Sequence, residues 1–467
     1  MKPIMARIAV KDCATKVGET VELAGWVDIR RDHGKLIFID LRDESGIVQM
    51  VITPKNEALH KEADRVRPEW VISINGEVKA RPEGMKNDKI ATGSVEIGVT
   101  QLIVLNPAET PPFDITSSGL EIGEEVRLEY RYIDLRRARL QKNLRLRAKL
   151  GKKLREYLNA KNFVEIETPY LTKSTPEGSR DFLVPSRHQP GKFYALPQSP
   201  QQYKQLLMAS GFERYYQFAR AMRDEDLRAD RGFEHTQLDI EMSFVSRENI
   251  LNLVEEMVTR VVENLGFTIQ TKPFPRFTYA EAIKKFGADK FDMRTPEEKE
   301  KNIQAFAWVT EFPFFEKNTE GKWTFTHNPF SNPIPGHEEK LLSGEIEHII
   351  ADQYDLVLNG FEAGGGSIRA HKSEILKKVL EVMGHSNEHI EKEFGHMLRA
   401  FTYGTPPHGG IALGFERILM SLTGEEYLRE LQAFPMTSGG RTAVMDAPSE
   451  VSKAQLDELG LEIKKKK

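Results

Sequence analysis

Between residues 20 and 105 apolar and polar positions alternate in short runs. "VELAGWVDI" puts Val21, Leu23, Val27 and Ile29 on one side of an extended chain, because side chains alternate along a strand. "KLIFIDLR" and "GIVQMVI" repeat the pattern across the turn signal "DESG", and "WVISINGEV" and "SVEIGVTQLIVL" follow. Five such strands predict a small barrel or a sandwich. After the Pro-, Ser- and Thr-rich "NPAETPPFDITSSG" the period changes. Leu146, Leu150, Leu154 and Leu158 recur every four residues, which predicts an amphipathic helix with a cationic outer face. "VEIETPYL" reads as a strand stopped at Pro169, and 246–265 and 372–398 as further helices. No internal repeat is visible.

The sharpest alternation lies in "FARAMRDEDLRADRGFEHTQLDIEMSF", residues 218–244. Leu238, Ile240, Met242 and Phe244 share one face of its second arm, and His235, Gln237, Asp239 and Glu241 the other. Arg223 and Glu225 share a face on the first arm, and the tip adds Arg228 and Arg231. A hairpin would thus carry a polar wall above an apolar floor. By itself that wall also suits a solvated edge hairpin.

A second hairpin is signalled by Asn359-Gly360 in "YDLVLNGFEAGGGSIRAH", a pair that favours a type I′ turn. Its register pairs Val357 with Glu362 and sets Asp355 one diagonal step away on the same face. Two such carboxylates can hold Mg²⁺ together with phosphate oxygens. The glycines 364–366 allow close approach to backbone or mark a bulge, and Arg369 offers a fork for a carboxylate. In "HGGIALGFERILMSL" a glycine-punctuated strand enters a helix at Arg417. "TKSTPEGSRDFLVPSR" reads as a lid, and "LPQSPQQYKQLLM" sets Gln201 and Lys204 near a helix start, where a lysine ordinarily faces solvent.

Composition narrows the setting. The 467 residues allow two to four domains, with 39% apolar residues for cores and a net charge of −4. That charge advertises neither nucleic acid nor membrane, so any nucleic-acid surface is a local patch. The single Cys13 excludes a disulfide framework and a cysteine zinc site and points to a reducing, cytoplasmic setting. No signal peptide or membrane-spanning run is read. The closing "KKKK" reads as a solvated tail. Walker A, GxGxxG, HExxH and paired CxxC patterns are missing.

Taken in order, "FARAMRDEDLRADRGFEHTQLDIE", "LPQSPQ", "GGGSIRAH" and "YGTPPHGGIALGFER" resemble the aspartate branch of the class II aminoacyl-tRNA synthetases, the subgroup with an N-terminal OB-fold. The resemblance covers nearly the whole chain. It implies an α+β fold: a five-stranded OB barrel over 1–105 for the anticodon, a hinge over 106–140, an antiparallel class II sheet flanked by helices over 141–445, and an extension over 446–467. It implies a homodimer built on the segment ending at Pro169. It further implies that L-aspartate reacts with ATP and Mg²⁺ to an adenylate and is passed to tRNA.

The same resemblance distributes roles. Arg223 would bridge the α-phosphate and the aspartate α-carboxylate, and Arg417 would hold the γ-phosphate end. Asp224, Glu225, Gly232, His235, Gly414, Phe415 and Glu416 would complete the ATP site, and Asp355 and Glu362 would hold Mg²⁺. Arg369 and Lys204 would take the substrate's side-chain carboxylate, leaving buried cations unpaired if asparagine entered. Glu177, Gln201 and Asp239 would order the ammonium end, and His327 would close over it. Arg30, Arg31, Phe38 and Gln49 would meet the anticodon. His33 and Gly84 resemble the form that accepts both tRNA(Asp) and tRNA(Asn), and Asp-tRNA(Asn) would need an amidotransferase downstream. A sister asparagine or lysine enzyme, or an inactive tRNA-binding relative, is disfavoured by Arg369, Lys204, Arg223, Glu362 and Arg417.

Three departures stand out. "KKFGADKFDMRTPEEKEKNIQAFAWVTEFPFFE" runs where bacterial relatives carry an insertion of domain size. His235 replaces an adenine-stacking Phe, and Asn328 follows His327 where a second His is usual.

Overall fold

A computed structural model describes residues 7–174 and 178–464. The chain divides into two compact units, 1–114 and 115–467. Glu177 and the last three lysines lie outside the described residues.

In the first unit the strands Thr20–His33, Leu36–Asp43, Gly46–Ile52, Val95–Asn106 and Val71–Ala80 close a barrel in that spatial order. Val21, Leu23, Val27, Ile37, Ile39, Val48 and Met50 fill it. Ile29 does not. A bulge between Val27 and Ile29 breaks the alternation and leaves Ile29 38% exposed, as an extra residue in one strand does. The helix Glu57–Arg65, which no expected strand announces, follows the third strand. Asn56 starts it by accepting a hydrogen bond from the Leu59 backbone N–H at 3.1 Å.

The second unit is built on an eight-stranded sheet. Its order is Arg276–Thr278, Phe306–Thr310, Gln353–Leu358, Phe361–Ile368, His408–Gly414, Glu234–Ser243, Arg214–Met222, Val164–Glu165. The pairs are antiparallel except at the two edges, which are parallel. Helices Ala138–Ala160, Arg247–Asn264 and Phe415–Thr423 cover one face and bury Leu150, Leu154, Leu158, Val254, Ile418 and Leu419 against Leu238, Ile240, Ile411 and Leu413. The opposite face carries the polar side chains of the same strands, so strand alternation separates core from site.

Four local expectations change. Only Val164 and Glu165 form the edge strand; Ile166 donates once more to Tyr216 O, and Pro169 cannot continue the ladder. The helix expected over 372–398 is two, Ser373–Val382 and Asn387–Phe401, separated at Gly384 with φ +86° and restarted by Ser386, which caps His389. Phe244 leaves the apolar face: its φ of +58° turns it out, 68% exposed. The hinge expected over 106–140 is packed chain from 115 onward. There Arg127, Arg131 and Arg137 surround the buried Asp134, and Arg127 reaches Glu430 at 2.6 Å.

Candidate active site

The polar face of the sheet borders a cavity of about 320 Å³. Its wall includes Gln201, Lys204, Arg223, Glu225, Gly232, His235, Asp239, His327, Asp355, Glu362, Arg369, Gly414, Glu416 and Arg417. Residues nearly two hundred positions apart in sequence converge there because strand Glu234–Ser243 pairs with His408–Gly414, which pairs with Phe361–Ile368. Two expected members fall elsewhere. Asp224 bridges to Arg180 beside the cavity. Phe415 is buried in the core, edge-on to Phe218 with Arg147 over its ring. A residue opening a helix from a strand must point one way or the other, and Phe415 points inward.

At the deepest end two cations and two carboxylates are buried together. Lys204 Nζ lies 2.7 Å from Asp239 Oδ1 and 3.4 Å from Glu241 Oε2. Arg369 donates from Nε to Glu241 Oε1 at 3.0 Å and from Nη1 to Ser367 Oγ at 2.9 Å. Lys204 is thus not a solvent lysine, and neither cation waits unpaired. Burial alone would raise the Glu241 carboxyl, but Arg369 and Lys204 overcome it and hold the group below the usual carboxylate range. The strand pattern put Glu241 on this wall; its role as shared counter-ion came only with the register.

The second hairpin turns as its sequence requires, with Asn359 at φ +52° and Gly360 at φ +93°. Val357 pairs with Glu362 across it. A bulge follows, and Asp355 and Glu362 then face the same point. A Cβ on Gly365 would meet Asp355 Oδ1 at 3.0 Å and Glu362 Oε1 at 3.3 Å. The glycine run therefore has two causes. Gly365 leaves room beside the acids, whereas a Cβ on Gly366 would strike Gly410 O at 2.1 Å on the neighbouring strand.

Asp355 is 2% exposed and its Oδ2 has no hydrogen-bond partner. Burial first, then Glu362, push its carboxyl well above the usual range. Asp289, His327 and Asp355 can bring three ligand atoms within 4.8 Å of one another. An orphaned buried carboxylate oxygen beside a second carboxylate fits a divalent cation. Lys290, which the sequence reading overlooked, occupies the flank, its Nζ 2.8 Å from Glu362 Oε2.

The outer end is cationic. Arg417 donates to Glu362 O at 3.1 Å and lies 3.2 Å from Asp230. Arg223 donates from Nε to Gln198 O at 3.3 Å and leaves the rest of its guanidinium to the cavity. His235 sits among them. Burial first, then Arg223 and Arg417, lower its pKa to about 3, so the ring is neutral. Glu416 is tied down by Arg147 at 2.9 Å and by the Thr236 N–H at 2.9 Å. The segment expected as a lid is partly anchored: Gln198 bonds Ser179 O at 2.9 Å and Asp181 Oδ1 at 2.5 Å.

On the barrel, Phe38 alternates outward from Ile37 and Ile39, so it is not a core residue. It pairs with Arg31 on one side and Val51 on the other. Gln49 lies beyond, 3.5 Å from Arg31. Arg30 is held by Asp64 and Asp32, and His33 and Gly84 are exposed.

A family model described as tRNA synthetases class II (D, K and N) matches residues 123–438, and one described as OB-fold nucleic acid binding domain matches 21–105. A protein of Rubrobacter xylanophilus called Aspartate–tRNA(Asp/Asn) ligase is 40% identical, over 96% of this chain and 95% of its own length. A Staphylococcus saprophyticus protein called Aspartate–tRNA ligase is also 40% identical, over 96% of this chain and 97% of its own. The first alignment is 575 residues long against 467 here, so the relative carries a stretch with no counterpart in this chain. Among solved structures, asparaginyl-tRNA synthetase of Pyrococcus horikoshii complexed with asparaginyl-adenylate is similar in fold, with a TM-score of 0.73 at 24% identity, over 93% of this chain and 99% of that one.

Proposed function

The chain belongs to the class II tRNA synthetases of the D, K and N group, and from that premise we infer that it joins L-aspartate to tRNA(Asp) and tRNA(Asn) at the expense of ATP. The observation that carries this reading is the convergence of Arg223, Arg369 and Arg417 with Asp355 and Glu362 on one cavity.

The first step brings two anions together. An oxygen of the aspartate α-carboxylate attacks the α-phosphorus of ATP, and pyrophosphate leaves. Neutralisation and alignment are the protein's main tasks, and no general base is needed. Arg223 holds the α-phosphate against the α-carboxylate, and Arg417 holds the far phosphate end. Asp355 and Glu362 would hold Mg²⁺, which when bound offsets the charge of the phosphates. His235, neutral and flanked by guanidinium groups, offers its ring face to adenine. Glu225 and the backbone at Gly232 complete that subsite. In the second step the terminal ribose hydroxyl of tRNA attacks the adenylate carbonyl carbon, and AMP leaves.

The substrate's side-chain carboxylate meets Arg369 and Lys204, and Gln201 and Asp239 receive its ammonium group. The buried quartet changes how aspartate is chosen. Its charges already sum to zero, so a substrate carboxylate shares the two cations with Glu241 and Asp239 instead of filling a vacant pair. His327 closes the entrance beside Asn328.

Arg31, Phe38 and Gln49 form the anticodon face, with exposed His33 and Gly84 leaving room for either third base. The names of the Rubrobacter and other relatives support this dual range. Asp-tRNA(Asn) made here is a substrate for an amidotransferase. Val164, Tyr170 and Leu171, each over 40% exposed along the short edge strand and its extension, support a homodimer. No described helix is long and apolar enough to cross a membrane, and the buried free thiol of Cys13 suits a reducing cytoplasm.

Aspartate-dependent exchange of pyrophosphate into ATP tests the substrate. Exchange driven by asparagine and not by aspartate overturns it. Charging of purified tRNA(Asn) tests the range, and failure leaves a strictly tRNA(Asp)-specific enzyme.

A further inference from the structure

Gln201 lines the cavity and its helix, Gln201–Ala209, places Gln205 directly behind it at i+4. Gln201 Nε2 donates to Gln205 Oε1 at 2.9 Å, and Gln205 Nε2 lies 3.1 Å from His408 Nε2. His408 Nδ1 lies 2.8 Å from Pro406 O. All three side chains are buried, His408 completely. A carbonyl oxygen can only accept, so Nδ1 must carry the proton. Nε2 of the neutral ring is then an acceptor, and Gln205 must present its NH₂ to it. That fixes the Gln205 oxygen toward Gln201, which must answer with its own NH₂. The amide oxygen of Gln201 is left for the cavity, and among the described residues nothing donates to it.

We propose that His408 is a positioning residue that acts through Gln205 to hold the Gln201 amide with its oxygen toward the substrate's α-ammonium group. The proposal rests on the reading above that places the ammonium end at Gln201. One proton added to the ring would reverse every link: Nε2–H would call for the Gln205 oxygen, and Gln201 would turn its NH₂ toward a cation. Burial keeps that from happening, with the ring pKa lowered to about 4 against the opposing effect of Glu241 and with Arg369 and His371 assisting. The Asn or Gln orientation problem, normally open by symmetry of the amide, is closed here by Pro406.

The test uses the full chain, pyrophosphate exchange, and succinate as a competitive inhibitor. Succinate keeps both carboxylates of aspartate and lacks the ammonium. His408→Phe and Gln205→Leu each cut the relay; His408→Gln keeps an acceptor near the Nε2 position. The expected result is a rise in KM for aspartate of about tenfold, the loss of one bond to a charged group. KM for ATP and Ki for succinate stay within twofold, and His408→Gln recovers most of the loss. Gln205→Leu carries the test should His408→Phe not fold. A parallel loss of succinate and ATP affinity, or a His408→Gln variant no better than His408→Phe, overturns the relay. Wild-type protein that shows no aspartate-dependent exchange overturns the substrate reading instead, so the two failures are separate.

Discussion

Lys204 Nζ and Asp239 Oδ1 are 2.7 Å apart, and each side chain is only 1% exposed. Glu241 and Arg369 extend the pair into a neutral quartet. Removing one member strands a buried charge, which costs far more than the pair contributes. Lys204→Met is therefore expected to lower unfolding free energy by about 3 kcal/mol as well as raising KM for aspartate. Lys204→Met with Asp239→Leu removes both charges and should recover most of the stability but none of the activity. Urea midpoints and exchange kinetics on the three proteins check this; equal recovery of both would detach the quartet from substrate binding.

Much of this site was legible as pattern. Strand period put Asp239 and Glu241 on one face, and the Asn-Gly turn fixed the Val357–Glu362 register, so the acids and arginines group by pattern alone. What stayed hidden depended on partners far away in sequence. Lys290 is an unremarkable lysine until Glu362 is beside it. Phe415 keeps step with Ile411 and Leu413 on the core face, while Ala412 and Gly414 line the cavity, so alternation alone sends it inward against Phe218. Ile29 and Phe244 left their faces because one bulge and one left-handed residue reset the period, and neither leaves a signature in a two-residue alternation. His408 carried no signal at all, since its meaning lies in Pro406 and Gln205.

Acid sensitivity follows from the same histidine. Its folded pKa is lowered to about 4, chiefly by burial, whereas the unfolded chain takes the proton near the ordinary value of about 6.5. Below that value the unfolded state binds more protons, so stability falls as pH drops from about 6.5 toward 4, by up to about 1.4 kcal/mol per pH unit. His235 pulls in the same direction. His408→Gln removes this one titration. Its urea midpoint at pH 7 and at pH 5 should differ less than that of the wild type. An identical pH dependence in the two proteins would show that folding leaves the pKa of His408 unshifted.

Lys290 holds Glu362 at 2.8 Å, on the acid pair that suits a divalent cation. A bound ammonium and a divalent ion compete for one carboxylate. Lys290→Met should lower the Mg²⁺ concentration giving half-maximal pyrophosphate exchange by about fivefold, the worth of about 1 kcal/mol. Glu362→Gln should raise it by more than tenfold, and chelation should abolish exchange in all three proteins. A Lys290→Met enzyme with unchanged Mg²⁺ dependence would mean that the lysine stays on Glu362 when the ion binds.

Phe38 separates tRNA recognition from adenylate chemistry. Its ring stands outside the barrel between Arg31 and Val51 in the strand register, and the packed core runs through Ile37 and Ile39 instead. Truncation therefore removes no core volume and should leave the melting temperature within a few degrees. A base stacked on an aromatic face contributes about 1–3 kcal/mol. Phe38→Ala should accordingly raise KM for tRNA by about tenfold to a hundredfold while aspartate-dependent pyrophosphate exchange, which needs no tRNA, is unchanged. Arg31→Ala should add a loss that shrinks as salt rises, because a phosphate contact is screened and a stack is not. Unchanged charging by Phe38→Ala, measured with tRNA(Asp) and tRNA(Asn) in turn, would place the anticodon on another face of the barrel.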